Sequence, residues 1–537
     1  QDKTIRQIIE KVFADHPYAD FEFHLTSSYT TWAYCVQYRE SDFNFLTRLM
    51  EQEGMHFFFR HQNGKHTLVI ADSLRAHVAA DHYGEVRFRE PETTHARADE
   101  GIREWSHGAE IQPTRFIQRD FNFEKPRADM QADAGPARPL KHQHQAAFDI
   151  FDYPGEYEER GEGQRIAAVR IEEMRHQFDH FNGEGNAAGL ATGGLFKLLE
   201  HPRDDQNQEY LIVEADYRVE ESPLESELAT TELIGLRFRA IPSAQIFHPP
   251  RLTPKPIVQG PQTAIVVGPA GDEIHTDKYG RVKVQFHWDR YGKKDQNSSC
   301  WIRVSHPWAG QNWGMIAIPR IGQEVIVEFL EGDPDRPIIT GRVYNADQMP
   351  PYALPANMTQ TGIKTRSTKG GGVANFNEIR FEDKKGAEQV YIHAEKNQDI
   401  VVENDETTNV GHDRTETVGH DETITIHNDR TETVDGNETV SIKKNRTHSV
   451  DGNETVSVTG NRSESVQGNE SVDVTGKLDH SITGAASYTS PTSITLTVGG
   501  STVEIKPTGI TLSFGASSVK IDAMGIAQMG PKISLNG

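Results

Sequence analysis

The sequence predicts a mainly β protein with an α+β base, a small OB-fold barrel and an intertwined, trimeric, triangular β-helix that forms a needle. Three observations predict this fold class. An apolar residue recurs every eight positions from Val402 to Ile482, short alternating segments fill the region from Ile257 to Tyr344, and helical and strand patterns mix before residue 250. Because 537 residues exceed what one hydrophobic core usually serves, we expect several domains.

Two clusters of proline mark the expected domain boundaries. Proline continues neither a helix nor a central strand, and it recurs from Pro249 to Pro256 and from Pro350 to Pro355, ahead of Gly370–Gly372. The predicted division is 1–250 for the base, 251–349 for the OB-fold barrel, 350–380 for a linker and 381–537 for the needle, with octads over 402–484 and apolar tip strands over 485–537.

The base combines helices with a hairpin. Apolar residues at helical spacing predict a first helix from Lys3 to Phe13. A second helix is predicted between Ser41, a good N-cap, and Gly54, a good C-terminal stop. Strands follow, joined through Asn63-Gly64, a dipeptide that tolerates the positive φ angles of a tight hairpin. A third helix is predicted from Arg165 to Phe178.

The region between the proline clusters alternates apolar and polar residues in short segments broken by glycine, without a helical pattern. Strands at this spacing indicate a small closed barrel whose size fits an OB-fold. The predicted strands are Ala264–Val267, Arg281–Phe286, Trp301–Ser305, Met315–Ile318 and Glu324–Leu330.

The octad repeat decides the prediction for the needle. A glycine often follows the apolar residue two places later, as at Gly436 and Gly452, so each unit is a short strand ended by a sharp corner. One octad cannot bury enough surface to offset its ordering entropy, whereas three chains wound together place three apolar residues at every level of a triangular prism. A single-chain solenoid is the alternative, with a much thinner core. The predicted trimer-core residues are Val402, Val410, Val418, Ile426, Val434, Ile442, Val450, Val458, Val466, Val474 and Ile482.

A second pattern in the repeat alternates in charge with a period of 16 residues. If each strand lies beside the next octad of a neighbouring chain, every arginine faces a glutamate across a subunit boundary, which fixes the register. Because buried unpaired charge is costly, we expect these side chains near the prism corners, paired and partly hydrated. The predicted inter-chain ladder is Arg414, Glu422, Arg430, Glu438, Arg446, Glu454, Arg462 and Glu470.

Beyond Gly484 the octads give way to alternating apolar strands that carry little charge. An apolar end on a polar shaft suits the docking of a capping protein. The residues assigned to tip docking are Val519, Ile521, Ile526, Ile533 and Leu535.

The composition argues against several classes of function. The chain carries 56 basic and 79 acidic residues, a formal net charge of −23, which repels nucleic acid and anionic lipid head groups. Two cysteines, Cys35 and Cys300, are too few for a disulfide framework and favour a reducing compartment. We expect no signal peptide and no transmembrane segment, because no apolar run approaches about 20 residues and no basic segment precedes a hydrophobic one at the N-terminus.

Three local patterns are candidates for chemical sites. Cys300 and His306 are close in sequence, but no third group or oxyanion donor accompanies them. His142 and His144 have no cysteine or carboxylate at metal-ligand spacing, so we expect surface histidines. The glycines around Gly268–Gly271 lack the lysine of a phosphate-binding loop and indicate a turn. We therefore expect no enzyme activity, no metal and no cofactor.

Longer stretches resemble a known family. They are the octads with their valine-glycine turns, "GDEIHTDKYGRVKVQFHWDR", "PWAGQNWGMIAIPRIGQEVIVEFLEGDPDRPIITGRVYN" and "YRESDFNFLTRLMEQEGMHFFF". Together they closely resemble VgrG, the valine-glycine repeat spike of type VI secretion systems, which is related to contractile phage hub and needle proteins. The resemblance covers essentially the whole chain and implies a phage-hub-like base, an OB-fold collar and a homotrimeric β-helical needle.

The resemblance also implies partners and a location. Family members sit on a tube of hexameric Hcp rings, carry a PAAR-repeat cone on the tip, and deliver effectors and their adaptors when a sheath contracts. The protein is then expected in the cytoplasm before firing and outside the cell or inside a target cell afterwards, with transient contact with the punctured membrane. A further stretch precedes the opening helix in the family, so we expect that N-terminal residues are missing. We expect no appended effector domain and no lysozyme-like insertion.

Two alternatives stay open at this point. A trimeric phage-like tailspike would degrade surface glycan, but such an enzyme usually needs a broad groove with paired carboxylates, and octads are too short to build one. An adhesin with a binding tip would need an export signal, which we do not expect here. Activity against purified glycans distinguishes the tailspike from the spike.

Overall fold

The computed structural model describes residues 1–90, 99–137, 148–219 and 234–534. These residues fall into two compact units, 1–407 and 408–537. The described residues are mainly β, as predicted, and their three α-helices all lie in the first unit: α1 (Ile5–Phe13), α2 (Asp42–Glu53) and α3 (Arg160–Arg175). None of the helices within these ranges is long and apolar enough to cross a membrane.

The ends of α1 and α2 follow from local capping. The Gln7 N–H donates to the Thr4 hydroxyl and the Thr4 N–H donates to the Gln7 side chain, which makes a capping box at the start of α1. Ser41 caps α2 by accepting from the Asn44 N–H, and Gly54 ends it with a φ of 77°, a left-handed conformation that suits glycine. Both predicted helices are confirmed.

Short strands make up most of the base. Those in its described residues are β1 (Lys3–Thr4), β2 (Phe21–His24), β3 (Thr31–Trp32), β4 (His56–Gln62), β5 (Lys65–Ala71), β6 (Glu85–Arg87), β7 (Ile102–Ala109), β8 (Arg115–Gln118), β9 (Ala132–Ala134), β10 (Asp149–Asp152), β11 (Asp179–Gly185), β12 (Leu195–Leu199), β13 (Glu209–Val219) and β14 (Ile234–Pro242). β4 and β5 form the predicted hairpin, whose Gly64 has a φ of 73°.

In its described residues the base has one large sheet and three smaller ones, one of which is the two-stranded pair β1-β3. The large sheet has the strand order β6-β12-β13-β14-β11-β7, and its buried side holds an aromatic core that includes Phe181, Phe196, Tyr210 and Phe238. α1 and α2 share a core with the β2-β5-β4 sheet, whereas α3 packs on β8 and β9 of the β10-β8-β9 sheet. The predicted α+β character of the base is confirmed.

The third helix begins earlier than predicted. α3 runs from Arg160 to Arg175 rather than from Arg165 to Phe178. Its first turn contains Gly161 and Gly163. Because glycine disfavours helix, the sequence pattern placed the start of this helix too late. Gly163 is nevertheless required there, because a Cβ atom at this position would lie 2.5 Å from the Tyr157 ring.

The barrel follows the base. Its strands are β15 (Gln262–Val267), β16 (Lys283–Phe286), β17 (Arg303–Val304), β18 (Trp308–Gly310), β19 (Trp313–Met315), β20 (Glu324–Phe329) and β21 (Pro337–Val343). Five of them form one sheet in the order β16-β15-β20-β21-β17, and a bridge between Val282 and Ile302 joins its two edges. The closed interior holds Val266, Val284 and Val327 among other apolar residues, so the predicted barrel is confirmed.

Lys255 connects the base and the barrel through ion pairs. Its Nζ lies 2.8 Å from Asp333 Oδ2 and 3.2 Å from Asp335 Oδ2, both in the barrel, and 3.4 Å from Glu156 Oε2 in the base. The lysine side chain is 23% exposed and the two aspartates are 9% exposed, so this contact is largely shielded from water.

The predicted linker, residues 350–380, contains a strand and needs correction. β22 (Gln360–Lys364) pairs with β23 (Glu378–Glu382), which pairs with β24 (Gln389–His393). The run Gly370–Gly372 lies in the loop that connects β22 to β23. One face of this sheet is apolar and 44% to 65% exposed, formed by Ile363, Ile379, Phe381, Val390 and Ile392.

The second unit has two parts. The octad region comes first and contains no helix or paired strand among its described residues. A five-stranded antiparallel meander follows, formed by β25 (Ile494–Val498), β26 (Ser501–Lys506), β27 (Gly509–Phe514), β28 (Ser517–Asp522) and β29 (Gly525–Met529).

Candidate assembly surface of the octad region

The octads fold as short segments joined by two-residue bends that recur every eight residues. Six residues without helix, turn or bend lie between successive bends, and each predicted core residue stands immediately before a bend. The predicted corners are therefore present at the predicted period. The bends are 403–404, 411–412, 419–420, 427–428, 435–436, 443–444, 451–452, 459–460, 467–468, 475–476, 483–484 and 491–492.

The backbone of these octads has no partner within the described chain. No backbone hydrogen bond joins residues 402–492 to each other or to another described residue. A Cβ atom added at any octad glycine, such as Gly436 or Gly460, would meet no other atom within 4 Å. Rows of unpaired N–H and C=O groups on an extended segment form a template for pairing with another chain.

The predicted core residues are only half covered in this chain. The eleven valines and isoleucines before the bends are 43% to 53% exposed. A second apolar set stands two places before the core residue in every other octad, where the octads between have a charged residue or histidine. These side chains are more exposed, at 59% to 68%. The set consists of Ile424, Val440, Val456 and Val472. Repeated apolar exposure of this extent is typical of an interface, and burial of these residues in a trimer core stays a prediction.

Strand geometry determines which residues share a side with the core. Residues two apart in an extended segment point the same way. One octad therefore presents Arg414, Glu416 and Val418 on one side, and the next presents Glu422 and Ile424 followed by the core isoleucine. The side that carries the core residues is therefore mainly charged in one octad and mainly apolar in the next.

The charge ladder also shows contacts inside the chain. Arg414 Nη2 lies 2.9 Å from Glu416 Oε2. Arg430 and Arg462 make the same contact, each with the glutamate two residues further along the chain. A fourth octad has His448 at that position, with its Nε2 3.6 Å from Glu454 Oε1 of the next octad. These groups are more than half exposed. The pairing of arginine with glutamate from another chain stays a prediction, because the molecule described is one chain.

The residues assigned to tip docking are not all in one place. Val519 and Ile521 lie in β28 and Ile526 lies in β29, where Ile521 pairs with Ile526 on the same face of the meander. Ile533 follows β29 and is 51% exposed. Leu535 lies outside the described residues. Docking of a cap at these positions stays a prediction.

The surroundings of the candidate chemical groups in the first unit disfavour the charged forms of these groups. Burial raises the pKa of the Cys300 thiol to about 12 and lowers the pKa of His306. A thiol of such high pKa stays protonated near neutrality and is a poor nucleophile. Burial raises the pKa of Cys35 to about 12 as well. His142 and His144 lie outside the described residues, and in the rest of the chain no group of three or more histidine, cysteine or carboxylate side chains could hold a metal ion.

A buried histidine pair in the base was missed by the sequence analysis. His56 Nε2 is 2.9 Å from His77 Nε2, and the His77 Nδ1–H donates to the Gly193 carbonyl at 2.8 Å, so His56 donates within the pair. Burial lowers the pKa of His56 to about 3. Both rings border a mainly apolar cavity of about 160 Å³. The two histidines are 21 residues apart, so no local pattern could reveal their contact.

Three family models match successive parts of the chain. They are the phage tail baseplate hub (GPD) over residues 1–223, the type VI secretion system/phage-baseplate injector OB domain over 263–344, and the bacteriophage T4 gp5 C-terminal trimerisation domain over 361–474. The second match coincides with the closed barrel. The third includes β22 to β24 and most of the octads. The chain therefore has the hub, OB and needle modules of phage-baseplate and type VI injector proteins.

Spike proteins of Pseudomonas aeruginosa are similar to most of the chain. The type VI secretion system spike protein VgrG1b is 52% identical over 423 residues, which are 78% of this chain and 56% of that protein. VgrG1a is 51% identical over 417 residues, 77% of this chain and 64% of that protein. The chain belongs to the VgrG family of type VI secretion spike proteins. It spans between about half and two thirds of the length of these relatives.

Solved structures show a weaker likeness. The match to the E. coli c3393 protein, described as a type VI secretion component similar to the T4 tail proteins gp27 and gp5, has a TM-score of 0.43 and 19% identity. It covers 64% of this chain and 72% of that one. The matched families and relatives are hub, injector and spike proteins, and they give the glycan-degrading tailspike no support.

Proposed function

We propose that three copies of this chain form the spike of a type VI secretion system, a needle that punctures a target membrane when the sheath contracts. The observation that carries this proposal is the octad region, in which residues 402–492 bend at a fixed period and have no backbone partner of their own. Its overlap with a trimerisation-domain model supports three copies. Membership of a family of spike proteins supports the mechanical role.

Three-fold winding would cover the half-exposed core. Full burial of a valine or isoleucine side chain contributes about 1.5 to 3 kcal/mol, so completing the burial of three half-exposed side chains contributes roughly 2 to 4 kcal/mol at each level. This gain recurs at every octad and is absent in a monomer. With one octad per level and strands about 4.8 Å apart, the shaft would be on the order of 50 Å long.

The proposed domains follow the modules that the family models match. Residues 1–250 form the base, 251–349 the barrel and 381–537 the needle. The segment between β14 and β15 supports the first boundary, since it contains no strand in the described residues. A rigid puncturing device needs no reaction, so the chain acts without enzyme activity, metal or cofactor.

The proposed partners are those of a spike. The base sits on the Hcp tube, a PAAR-repeat protein caps the tip, and effectors with their adaptors travel with the assembly. The protein is cytoplasmic before firing and is then secreted or injected into a target cell. The net charge of −23 supports the absence of nucleic acid from this set.

The test of the trimer compares two aspartates in one octad. Val458→Asp places three like charges at one level of the core, whereas Ser457→Asp places them on the opposite side of the same segment. Light scattering of the full chain should show a trimer for the unchanged protein and for Ser457→Asp, and loss of the trimer for Val458→Asp. A monomeric needle in the unchanged protein, or a stable trimer of Val458→Asp, contradicts the proposal.

The test of the spike role uses bacteria that lack their own spike protein. The unchanged chain and Ser457→Asp should restore release of the tube protein into the medium, whereas Val458→Asp should not. Release of the tube protein with Val458→Asp, or no release with an unchanged chain that is trimeric, would show that the mechanical role does not follow from trimer assembly.

A further inference from the structure

We infer that the cavity beside the His56–His77 pair in the base binds a small, uncharged, mainly apolar molecule that carries one hydroxyl or N–H donor, such as phenol. The partner assigned to this donor is His56 Nδ1. The inference concerns the base of a single chain, so it stands whether or not three chains assemble.

His56 has an unpaired acceptor in a buried position. The His77 Nδ1–H donates to the Gly193 carbonyl, so His77 Nε2 is an acceptor and the proton between the two rings belongs to His56 Nε2. His56 Nδ1 therefore carries a lone pair, and it has no hydrogen-bond partner among the described residues. The residue is 7% exposed. Burial lowers the pKa of His56 to about 3, so the ring keeps this lone pair at neutral pH.

The wall of the cavity has a second unpaired polar atom. Thr47 lies in α2 and borders the same cavity. Its hydroxyl is buried, and no described residue bonds to it. Buried polar atoms without a partner are rare in native proteins, so two of them around one cavity indicate an occupant that bonds to them.

A carboxylate at the same cavity is already occupied. Glu51 accepts hydrogen bonds from the backbone N–H groups of Leu252 and Thr253, at 3.1 and 2.9 Å, and from the Thr253 hydroxyl at 3.0 Å. Its charge is thus engaged within the protein, and burying a charged ligand without a partner is costly. The site therefore favours an uncharged molecule.

The size and the apolar walls favour a ring over water. The cavity has a volume of about 160 Å³, whereas one water molecule takes about 30 Å³ and needs two to four polar partners. Apolar cavities of about 150 Å³ stay dry and bind benzene or xenon. The apolar lining is at most 9% exposed and includes Met50, Met55, Phe58, Leu211 and Ile212.

Aromatic side chains in the wall favour an aromatic ligand. Phe58 stacks on His77 with ring centroids 4.9 Å apart, and Phe247 meets His56 edge-on at 5.2 Å. Both phenylalanines border the cavity. Aromatic rings attract one another in stacked and edge-to-face arrangements. A phenol-sized ring fits these walls, and its hydroxyl supplies the donor that His56 Nδ1 lacks.

Ligand binding to the full-length protein tests where the site lies. The probe is 4-fluorophenol, and fluorine NMR of this ligand gives its dissociation constant. Thr47→Phe places a ring in the cavity wall and should weaken binding at least about tenfold, because overfilling a packed space is costly. Asn44→Phe, on the exposed side of α2 and away from the cavity, should leave binding unchanged. Phenylalanine, threonine and asparagine have similar helix propensities, so both variants keep α2. Thr47→Leu replaces Thr47→Phe if the latter does not fold.

A second ligand tests the hydrogen bond to His56. Fluorobenzene has the ring without the hydroxyl, and His56→Phe removes the acceptor but keeps a ring. The preference for 4-fluorophenol over fluorobenzene should fall by about two- to tenfold in His56→Phe, the net contribution of one hydrogen bond. Comparing the two proteins cancels the difference in hydrophobicity between the ligands. If His56→Phe does not fold, a crystal structure of the unchanged protein with 4-fluorophenol should place the hydroxyl within hydrogen-bond distance of His56 Nδ1.

The outcomes decide the inference without touching the proposed trimer. One saturable site per chain that Thr47→Phe weakens and Asn44→Phe does not supports it. Three results overturn it: no saturable binding of 4-fluorophenol, which leaves water as the occupant; equal binding to Thr47→Phe, which places the ligand elsewhere; and the same ligand preference in His56→Phe, or a hydroxyl away from His56 Nδ1. Light scattering of the same samples reports the trimer separately.

Discussion

Replacing Lys255 by methionine should destabilise the joint between base and barrel. Burial alone would lower the pKa of Lys255, but the surrounding carboxylates outweigh it and raise the pKa, so the lysine is a cation in the native protein. Burial raises the pKa of its partner Asp335 to about 6. Removing one member of a buried ion pair costs about 3 to 5 kcal/mol, because the other charge is left uncompensated. Lys255 contacts three carboxylates, so we expect the upper part of this range.

A surface ion pair in the same unit provides the matched control. Lys369 Nζ lies 3.0 Å from Asp272 Oδ1, and the lysine side chain is 64% exposed. Exposed pairs contribute at most about 1 kcal/mol, so Lys369→Met should barely change stability. Urea unfolding of the full chain, followed by tryptophan fluorescence, measures both losses. Adding Asp335→Asn to Lys255→Met should recover part of the loss. Equal losses for the two lysine variants would refute the reasoning.

Two further predictions concern the charge ladder and the buried histidines. Arg446→Glu should destabilise the trimer by several kcal/mol in total over three symmetry-related sites and so lower its melting temperature, and adding Glu438→Arg with Glu454→Arg should restore part of the lost stability. The ladder is wrong if the single reversal melts like the unchanged protein. His56 has a pKa of about 3 instead of 6.5, so the unfolded chain binds its proton first as pH falls. Above pH 6.5 His56 therefore costs the base no stability, and below pH 6.5 the free energy of unfolding falls by up to about 1.4 kcal/mol per pH unit. In urea unfolding, His56→Gln should flatten this slope.

Local signals predicted the elements that depend on local chemistry. Ser41 and Gly54 bound α2 because a cap and a left-handed stop act within one turn. The start of α3 was misplaced because Gly163 is required by the Tyr157 ring, a contact outside the helix. β22 was missed because its partner β23 lies beyond Gly370–Gly372, and pairing across a glycine loop leaves no periodic pattern.

The assembly surface was predictable to a similar degree. A period of eight residues predicted the bends and the position of each core residue beside them. The contact of Arg414 with Glu416 follows from the same two-residue parity, but the predicted ladder pairs these arginines only with glutamates of other chains. The face of the meander was not predictable in the same way, because Ile494 and Ile505 share a row only after the register is known.

The two units stabilise themselves by different means, and this explains the composition. The base and barrel bury aromatic and aliphatic cores within one chain. The second unit leaves its apolar residues half exposed, and its octads leave the backbone unpaired. In the proposed trimer, a chain with only 35% hydrophobic residues and a mean hydropathy of −0.63 could still build a long shaft, because each level of the shaft would draw its core from three copies. The stability of that shaft would then depend on protein concentration, whereas the stability of the base would not.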